Sequence, residues 1–338
     1  MNILLVRPDG IGDEILSLPV ATELRRLMPG ARLSLLSTDY AAPVLAYHPD
    51  LDEVLTVTGR ETLSKLVRLF RRNVDAAIFL KPFRRLMTAA WLARVPLRVG
   101  TGYRWYSWLL NRRVYEHRRD FSRHESVYNL GLLRGLRLSP GDVSPPRLVV
   151  TDEERDWARR LLDGSRMLRV LVHPGGFSSR LWKPVHYRDL IWHLANKGRE
   201  VLVTGTVAER DKFRTDTQIS AWPAGVRDLM GQLTLRQLMA VIAESHAVVS
   251  LATGPMHMAA ALGVPTVSIF DPRRSNSPTR WQPLGTGVVL RPEVPTCEKC
   301  IYEACPYWDC LDRITMTIVA ERITQVLARS LPVQVADV

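Results

Sequence analysis

Short apolar runs alternate along the chain with segments whose apolar positions recur every three or four residues. MNILLV (1–6) reads as a buried strand and ILSLPVATELRRLM (15–28) as a helix; ARLSLLST (31–38) is a second strand. APVLAYHP (42–49) predicts a short helix that stops before Pro49. The pattern continues with a strand at DEVLTV (52–57), a helix at TLSKLVRLFRRN (62–73) and a strand at DAAIFL (75–80). A helix through MTAAWLARV (87–95) and the short apolar LRVG (97–100) follow. Strand and helix in turn predict parallel sheets covered on both faces, an α/β doubly wound architecture.

The rhythm pauses at LSPGDVSPPR (138–147), whose prolines, glycine and polar residues mark a linker. It resumes with the helix EERDWARRLLDG and the strand and turn LRVLVHPGG. The helix YRDLIWHLANKG is stopped by Gly198, and the strand EVLVTG, the helix LTLRQLMAVIAES, the strand AVVSL, the helix PMHMAAALG and the strand TVSIF follow it. Two Rossmann-like halves are therefore expected, at 1–150 and 151–315. A last helix within 316–338 is expected to pack back on the first half.

Composition adds a partner. The 338 residues are 46% hydrophobic and 24% charged, as in globular proteins, yet the net charge is +12. No apolar run has the length of a membrane span, and the start lacks the pattern of a signal peptide, which points to the cytoplasm. A positive surplus calls for an anionic partner: nucleic acid, an acidic membrane face or a phosphorylated ligand. The four cysteines, Cys297, Cys300, Cys305 and Cys310, form C-x2-C-x4-C-x4-C. Two readings stand for them, a structural zinc or iron–sulfur clip and reduced thiols packing a loop.

Ligands of open parallel sheets bind beyond the carboxyl ends of the strands, where four segments carry candidate chemistry. In RPDGIGDEILSLP the third glycine of a dinucleotide fingerprint is missing, and Asp13 and Glu14 would repel a pyrophosphate. Gly12 and its neighbours then shape a turn presenting Asp13, either as a functional carboxylate or as a helix cap. In HPGGFSSRLWKP, Ser178, Ser179, Arg180 and Lys183 suit a phosphate. Thr253, Gly254, Pro255 and His257 open a helix whose free N–H groups attract an anion. Glu209 in VTGTVAERD either accepts from ribose hydroxyls or starts a helix.

In this order, RPDGIGDEILSLP, HPGGFSSRLWKP, VTGTVAERD and SLATGPMHMAAALGVPTVSIF resemble the heptosyltransferases of glycosyltransferase family 9, over Met1 to about Ile314. The R-x4-GD and TGPxHxAAALG signals are specific in combination. The resemblance implies the GT-B architecture, two Rossmann-like domains facing across a cleft, with the acceptor on the first and the nucleotide sugar, typically ADP-heptose, on the second. It implies an inverting transfer that needs no metal for catalysis, with Asp13 as the base. Thr253, Gly254 and His257 become the phosphate loop, and Glu209 the ribose acid. The acceptor it implies is an anionic glycolipid of the lipid A–Kdo type at the cytoplasmic face of the inner membrane, not nucleic acid. Gly12, and Arg123 and His124 before the helix ESVYNLGLL, would contact that acceptor. The aromatic run YRWYSWLL (103–110) is either membrane contact or helix core.

Two positions depart from the family pattern. Arg180 replaces a lysine, with Lys183 placed just before Pro184, and Ala252 replaces an acid that contacts the donor sugar. The alternative readings are therefore another nucleotide sugar and acceptor, or a non-catalytic paralogue that binds a sugar nucleotide. An epimerase or dehydrogenase would need a complete glycine fingerprint and a Tyr-x-x-x-Lys pair, which are absent.

Overall fold

The computed structural model describes residues 1–162, 167–176 and 180–328, and the backbone of 334–337. The chain divides into two compact units, Met1–Val149 and Val150–Val338. The first holds six strands: β1 (Asn2–Val6), β2 (Arg32–Thr38), β3 (Glu53–Val57), β4 (Ala76–Phe79), β5 (Leu97–Thr101) and β6 (Arg112–Val114). They pair in parallel in the order β3-β2-β1-β4-β5-β6. The second holds β7 (Arg169–His173), β8 (Glu200–Val203), β9 (Val226–Asp228), β10 (Ala247–Leu251), β11 (Thr266–Ile269), β12 (Gly287–Arg291) and β13 (Gln334–Asp337). Their order is β13-β12-β11-β10-β7-β8-β9, again parallel.

Both sheets are doubly wound. In each, the first strand lies at the centre, and the chain reverses its direction of travel beside it, between β1 and β4 and between β7 and β10. A crevice opens at such a switch point because the loops leaving the two strands diverge to opposite faces. The central strands earn their positions by composition: Leu4, Leu5 and Val6, like Val170, Leu171 and Val172, are buried on both faces.

The helix expected at 15–28 is Leu18–Leu27, and a separate short helix, Ile11–Ile15, precedes it. Pro19 has no N–H for the carbonyl a turn earlier, so the first helix stops and the second starts around the proline. The helix Met316–Ala328 buries Val319, Ala320, Ile323 and Val326 in the core of the second unit, against β10, β11 and the helix Pro184–Asn196. The apolar stripe of this helix is thus buried within the second unit. Among the described residues no helix is long and apolar enough to cross a membrane.

Candidate active site

Beyond β1 the turn Pro8–Gly12 carries the chain into the short helix Ile11–Ile15, which presents Asp13. Arg7, the first residue after β1, is buried to 2% exposure. Its guanidinium binds the Asp13 carboxylate and Glu125 Oε1, the latter at 3.0 Å, and donates to the Leu80 carbonyl at the end of β4 at 3.3 Å. Asp9 Oδ2 lies 3.7 Å from Arg7 Nε and 2.5 Å from Lys81 Nζ. Three carboxylates and two cations thus meet at the switch point of the first sheet. Burial pushes the Asp13 carboxyl up, Arg7 opposes this, and Asp9 and Glu125 add to the rise. Asp13 is therefore a stronger base than a solvated aspartate, still reachable at 28% side-chain exposure.

Glu14, next to it, points inward. Its Oε1 accepts from the N–H groups of Asp9 and Thr38, both at 3.2 Å, and its Oε2 accepts from Ser37 Oγ at 2.5 Å. Burial outweighs these bonds and raises its pKa to about 7. The folded state therefore holds the Glu14 proton more tightly than the unfolded chain. The stability it contributes is full below about pH 4.5 and is lost as pH rises through about 7. Glutamine can make the same three contacts without titrating. Relative to Glu14→Gln, the wild type should lose on the order of 3 kcal/mol between pH 5 and 8. Urea denaturation of both proteins across that range checks this, and a constant gap between them would refute it.

The expected acceptor residues lie in the same unit. Gly12 accepts from the Leu16 N–H within the turn. Arg123 Nη2 binds Glu116 Oε2 at 2.7 Å, and its guanidinium covers the Tyr128 ring. His124 caps the helix Glu125–Gly131, its Nδ1 accepting from the Ser126 N–H at 3.2 Å. Glu125 leads this helix and holds both Arg7 and Arg118. Arg7, Glu125 and Arg118 were not among the sequence candidates. Arg7 stood in the R-x4-GD motif, but nothing near it in sequence announces its partner 118 residues away. The aromatic run divides around a short 3-10 turn at Ser107–Leu109: Leu109 and Leu110 join the core of the first unit, while Trp105 and Trp108 are 75% and 55% exposed.

In the second unit the corresponding loops follow β7 and β10. Ser178 and Ser179 lie outside the described residues. Gly176 and the Thr253 turn touch, since a Cβ on Gly176 would stand 3.1 Å from Thr253 Cγ2. Gly254 starts the helix Gly254–Ala261, Pro255 occupies its first turn, and His257 is buried there. The Thr253 side chain does not cap this helix; its Oγ1 donates to the Leu251 carbonyl at 3.3 Å. The helix start thus keeps the character of an anion site.

Glu209 forms a capping box with Thr206: Oε2 accepts from the Thr206 N–H at 2.7 Å, and Thr206 Oγ1 accepts from the Glu209 N–H at 3.2 Å. Its other oxygen lies against the backbone of Gly175, where a Cβ would come within 2.0 Å. Beside it, His173 Nδ1 is 3.0 Å from Thr204 Oγ1, and burial, against the pull of Glu209, keeps the imidazole neutral. His173 was missed although it opens the HPGG motif, because the glycines drew the reading to the backbone. Gly175→Ala should force Glu209 out of its cap at a cost of about 1 kcal/mol, and cost almost nothing in a Glu209→Ala background. Thermal denaturation of the four proteins closes the cycle; equal costs in both backgrounds would show that the clash is absorbed elsewhere.

Arg180 and Lys183 turn toward the cysteine-bearing segment. Arg180 donates to Cys300 Sγ at 3.2 Å and to the Trp308 carbonyl, and Lys183 Nζ binds Asp312 Oδ2 at 2.5 Å. Their expected phosphate partners therefore compete with an aspartate and a carbonyl for these charges. Cys297, Cys300, Cys305 and Cys310 are all free thiols. Among the described residues, no group of three or more His, Cys, Asp or Glu side chains is already set to hold a metal ion.

Two doubly wound parallel sheets of this kind are the fold of a GT-B glycosyltransferase. The model of glycosyltransferase family 9 (heptosyltransferase) matches residues 63–307, and the chain belongs to that family. It is 26% identical to lipopolysaccharide heptosyltransferase 1 of Pseudomonas aeruginosa, over 91% of this chain and 88% of that one. It is 25% identical to lipopolysaccharide heptosyltransferase 2 of Escherichia coli K12, over 84% and 86%. Among solved structures, a family 9 glycosyl transferase from Veillonella parvula superposes with a TM-score of 0.82 at 19% identity, covering 97% of both chains. The E. coli ADP-heptose lipopolysaccharide heptosyltransferase II superposes with 0.81 at 24%, covering 97% of this chain and 99% of that one.

Proposed function

We propose that the protein transfers a heptose from ADP-heptose to an acceptor of the lipopolysaccharide core, with inversion at the anomeric carbon. The observation that carries this reading is the Asp13 carboxylate, raised in basicity by burial and fixed by Arg7 at the switch point of the first sheet. Asp13 takes the proton of the acceptor hydroxyl as that oxygen bonds to the anomeric carbon. The bond from that carbon to the diphosphate breaks, and ADP leaves with the electron pair through an oxocarbenium-like transition state. The start of the helix Gly254–Ala261 receives the developing charge on the diphosphate. Glu209, beside Gly175, is the group assigned to the ribose hydroxyls, which it would accept by giving up part of its capping role. The relatives named above, lipopolysaccharide heptosyltransferases at about a quarter identity, support the choice of donor and acceptor.

The basic first unit and its exposed Trp105 and Trp108, with the Arg84 guanidinium over the Trp105 ring, suit an anionic glycolipid at the cytoplasmic face of the inner membrane. The test is transfer from ADP-heptose to lipid A–Kdo, run beside UDP- and GDP-sugars. Product from another nucleotide sugar alone would overturn the donor, and neither binding nor product with any of them would overturn the reading. The second reading, a different donor sugar, rests on Ala252: where the family resemblance implies an acid, this side chain packs against the apolar Met256, Phe270 and Val289.

A further inference from the structure

We propose that Cys297, Cys300, Cys305 and Cys310 bind one thiophilic divalent metal ion as four thiolates, and that this ion is the staple of the segment 297–312. All four cysteines line a single cavity of about 40 Å³, whose walls also include Arg180 and Pro272. They come from one stretch of chain, and tight backbone turns already hold it. Cys297 bonds through its own N–H and C=O to Pro272 and Arg274, the Cys305 N–H to the Tyr302 carbonyl, and the Cys310 N–H to the Tyr307 carbonyl.

Two of the four sulfurs already face donors. The Tyr307 N–H points at Cys305 Sγ at 3.4 Å, two residues on, and Arg180 Nη1 lies 3.2 Å from Cys300 Sγ. N–H groups aimed at sulfur spread the negative charge of a metal-bound thiolate, and a nearby guanidinium offsets the double negative charge of a divalent ion with four thiolates. Lys299 lines the same cavity and adds a second cation. Arg273 is already committed to Asp271.

The segment has almost no core of its own. Ile301, Tyr302, Tyr307 and Trp308 are exposed, and only Cys310 and Leu311 join the apolar cluster of the second unit. Its regular structure is two 3-10 turns, Tyr302–Ala304 and Cys310–Arg313. A loop that buries so little apolar surface needs another source of order, and four-thiolate metal binding supplies it. Uptake requires rotation of the cysteine side chains into the cavity, since they are not in ligating positions as they stand. Four S–H bonds then release their protons to solvent as four metal–sulfur bonds form. Soft thiolates select zinc or iron(II) over magnesium or calcium.

The experiment is metal analysis of the full-length protein purified anaerobically without chelator, beside Cys300→Ser/Cys305→Ser, with the visible spectrum separating iron from zinc. The expected result is one equivalent of zinc or iron per chain in the wild type and its loss in the variant. Cobalt(II) added to stripped wild type should give a thiolate-to-cobalt charge-transfer band. Metal well below one equivalent together with no such band, equal metal in the variant, or disulfides among the four cysteines would each overturn the proposal. The readout is metal content and not transfer, so it stands or falls separately from the proposed reaction.

Discussion

Asp13→Asn should lower kcat by about 10²–10⁴-fold, the share a positioned general base contributes, while leaving donor affinity unchanged. Asparagine keeps the shape and an oxygen for Arg7, so the turn should survive; it cannot take the acceptor's proton. Steady-state kinetics beside calorimetric titration with the nucleotide sugar separate the two effects. Turnover within tenfold of wild type would remove Asp13 from the role of base. The pH profile carries the same assignment. A base acts when deprotonated, so kcat/KM should rise with pH through the Asp13 pKa. Burial places that acid limb above the range near 3.9 of a solvated aspartate.

The largest loss of stability is expected from Arg7→Met. The guanidinium is almost fully buried and serves Asp13, Glu125 and the Leu80 carbonyl together. Removing it takes the cation from Asp13 and leaves Glu125 with Arg118 alone, which costs about 3–5 kcal/mol for a buried pair broken on one side. Glu125 is the more exposed to this loss energetically, being 1% accessible with Arg118 as its other cation. Arg7→Met/Glu125→Gln should therefore recover part of the loss in chemical denaturation. A single variant that unfolds at the wild-type midpoint would show that Arg7 is a passenger. Any Arg7→Met protein that remains folded should also show its acid limb moved to higher pH, since Arg7 is the group that holds the Asp13 pKa down.

The central strands were legible because a parallel strand buried on both faces is written as an unbroken apolar run, as in ILLV, AAIF, VLV and AVVSL. The edge strands RRV (β6) and VRD (β9) were not, being three residues long and polar. GVVLR (β12) is an apolar run but follows only the four-residue helix Pro278–Trp281, so the strand–helix rhythm gave no place for it. Asp13 could be singled out because paired glycines and adjacent acids make an unusual turn. Its electrostatic setting could not, because Glu125 reaches Arg7 from the far end of the first unit. In the second unit the helix start at Thr253 was readable from Gly-Pro alone, whereas the turning of Arg180 and Lys183 toward Trp308 and Asp312 depends on a loop more than a hundred residues downstream.

The break in the helix before Pro19 leaves the Leu16 carbonyl free, and two side chains take it: Ser126 Oγ at 2.8 Å and Asn129 Nδ2 at 3.2 Å. With Glu125 on Arg7, the turn that holds Asp13 is fastened by one helix that the ribosome makes more than a hundred residues later. Asp13 is therefore synthesised more than a hundred residues before the helix that fastens its turn. The contacts that fix the turn cannot form until the helix Glu125–Gly131 has been made, so an N-terminal fragment that stops short of it should lack them.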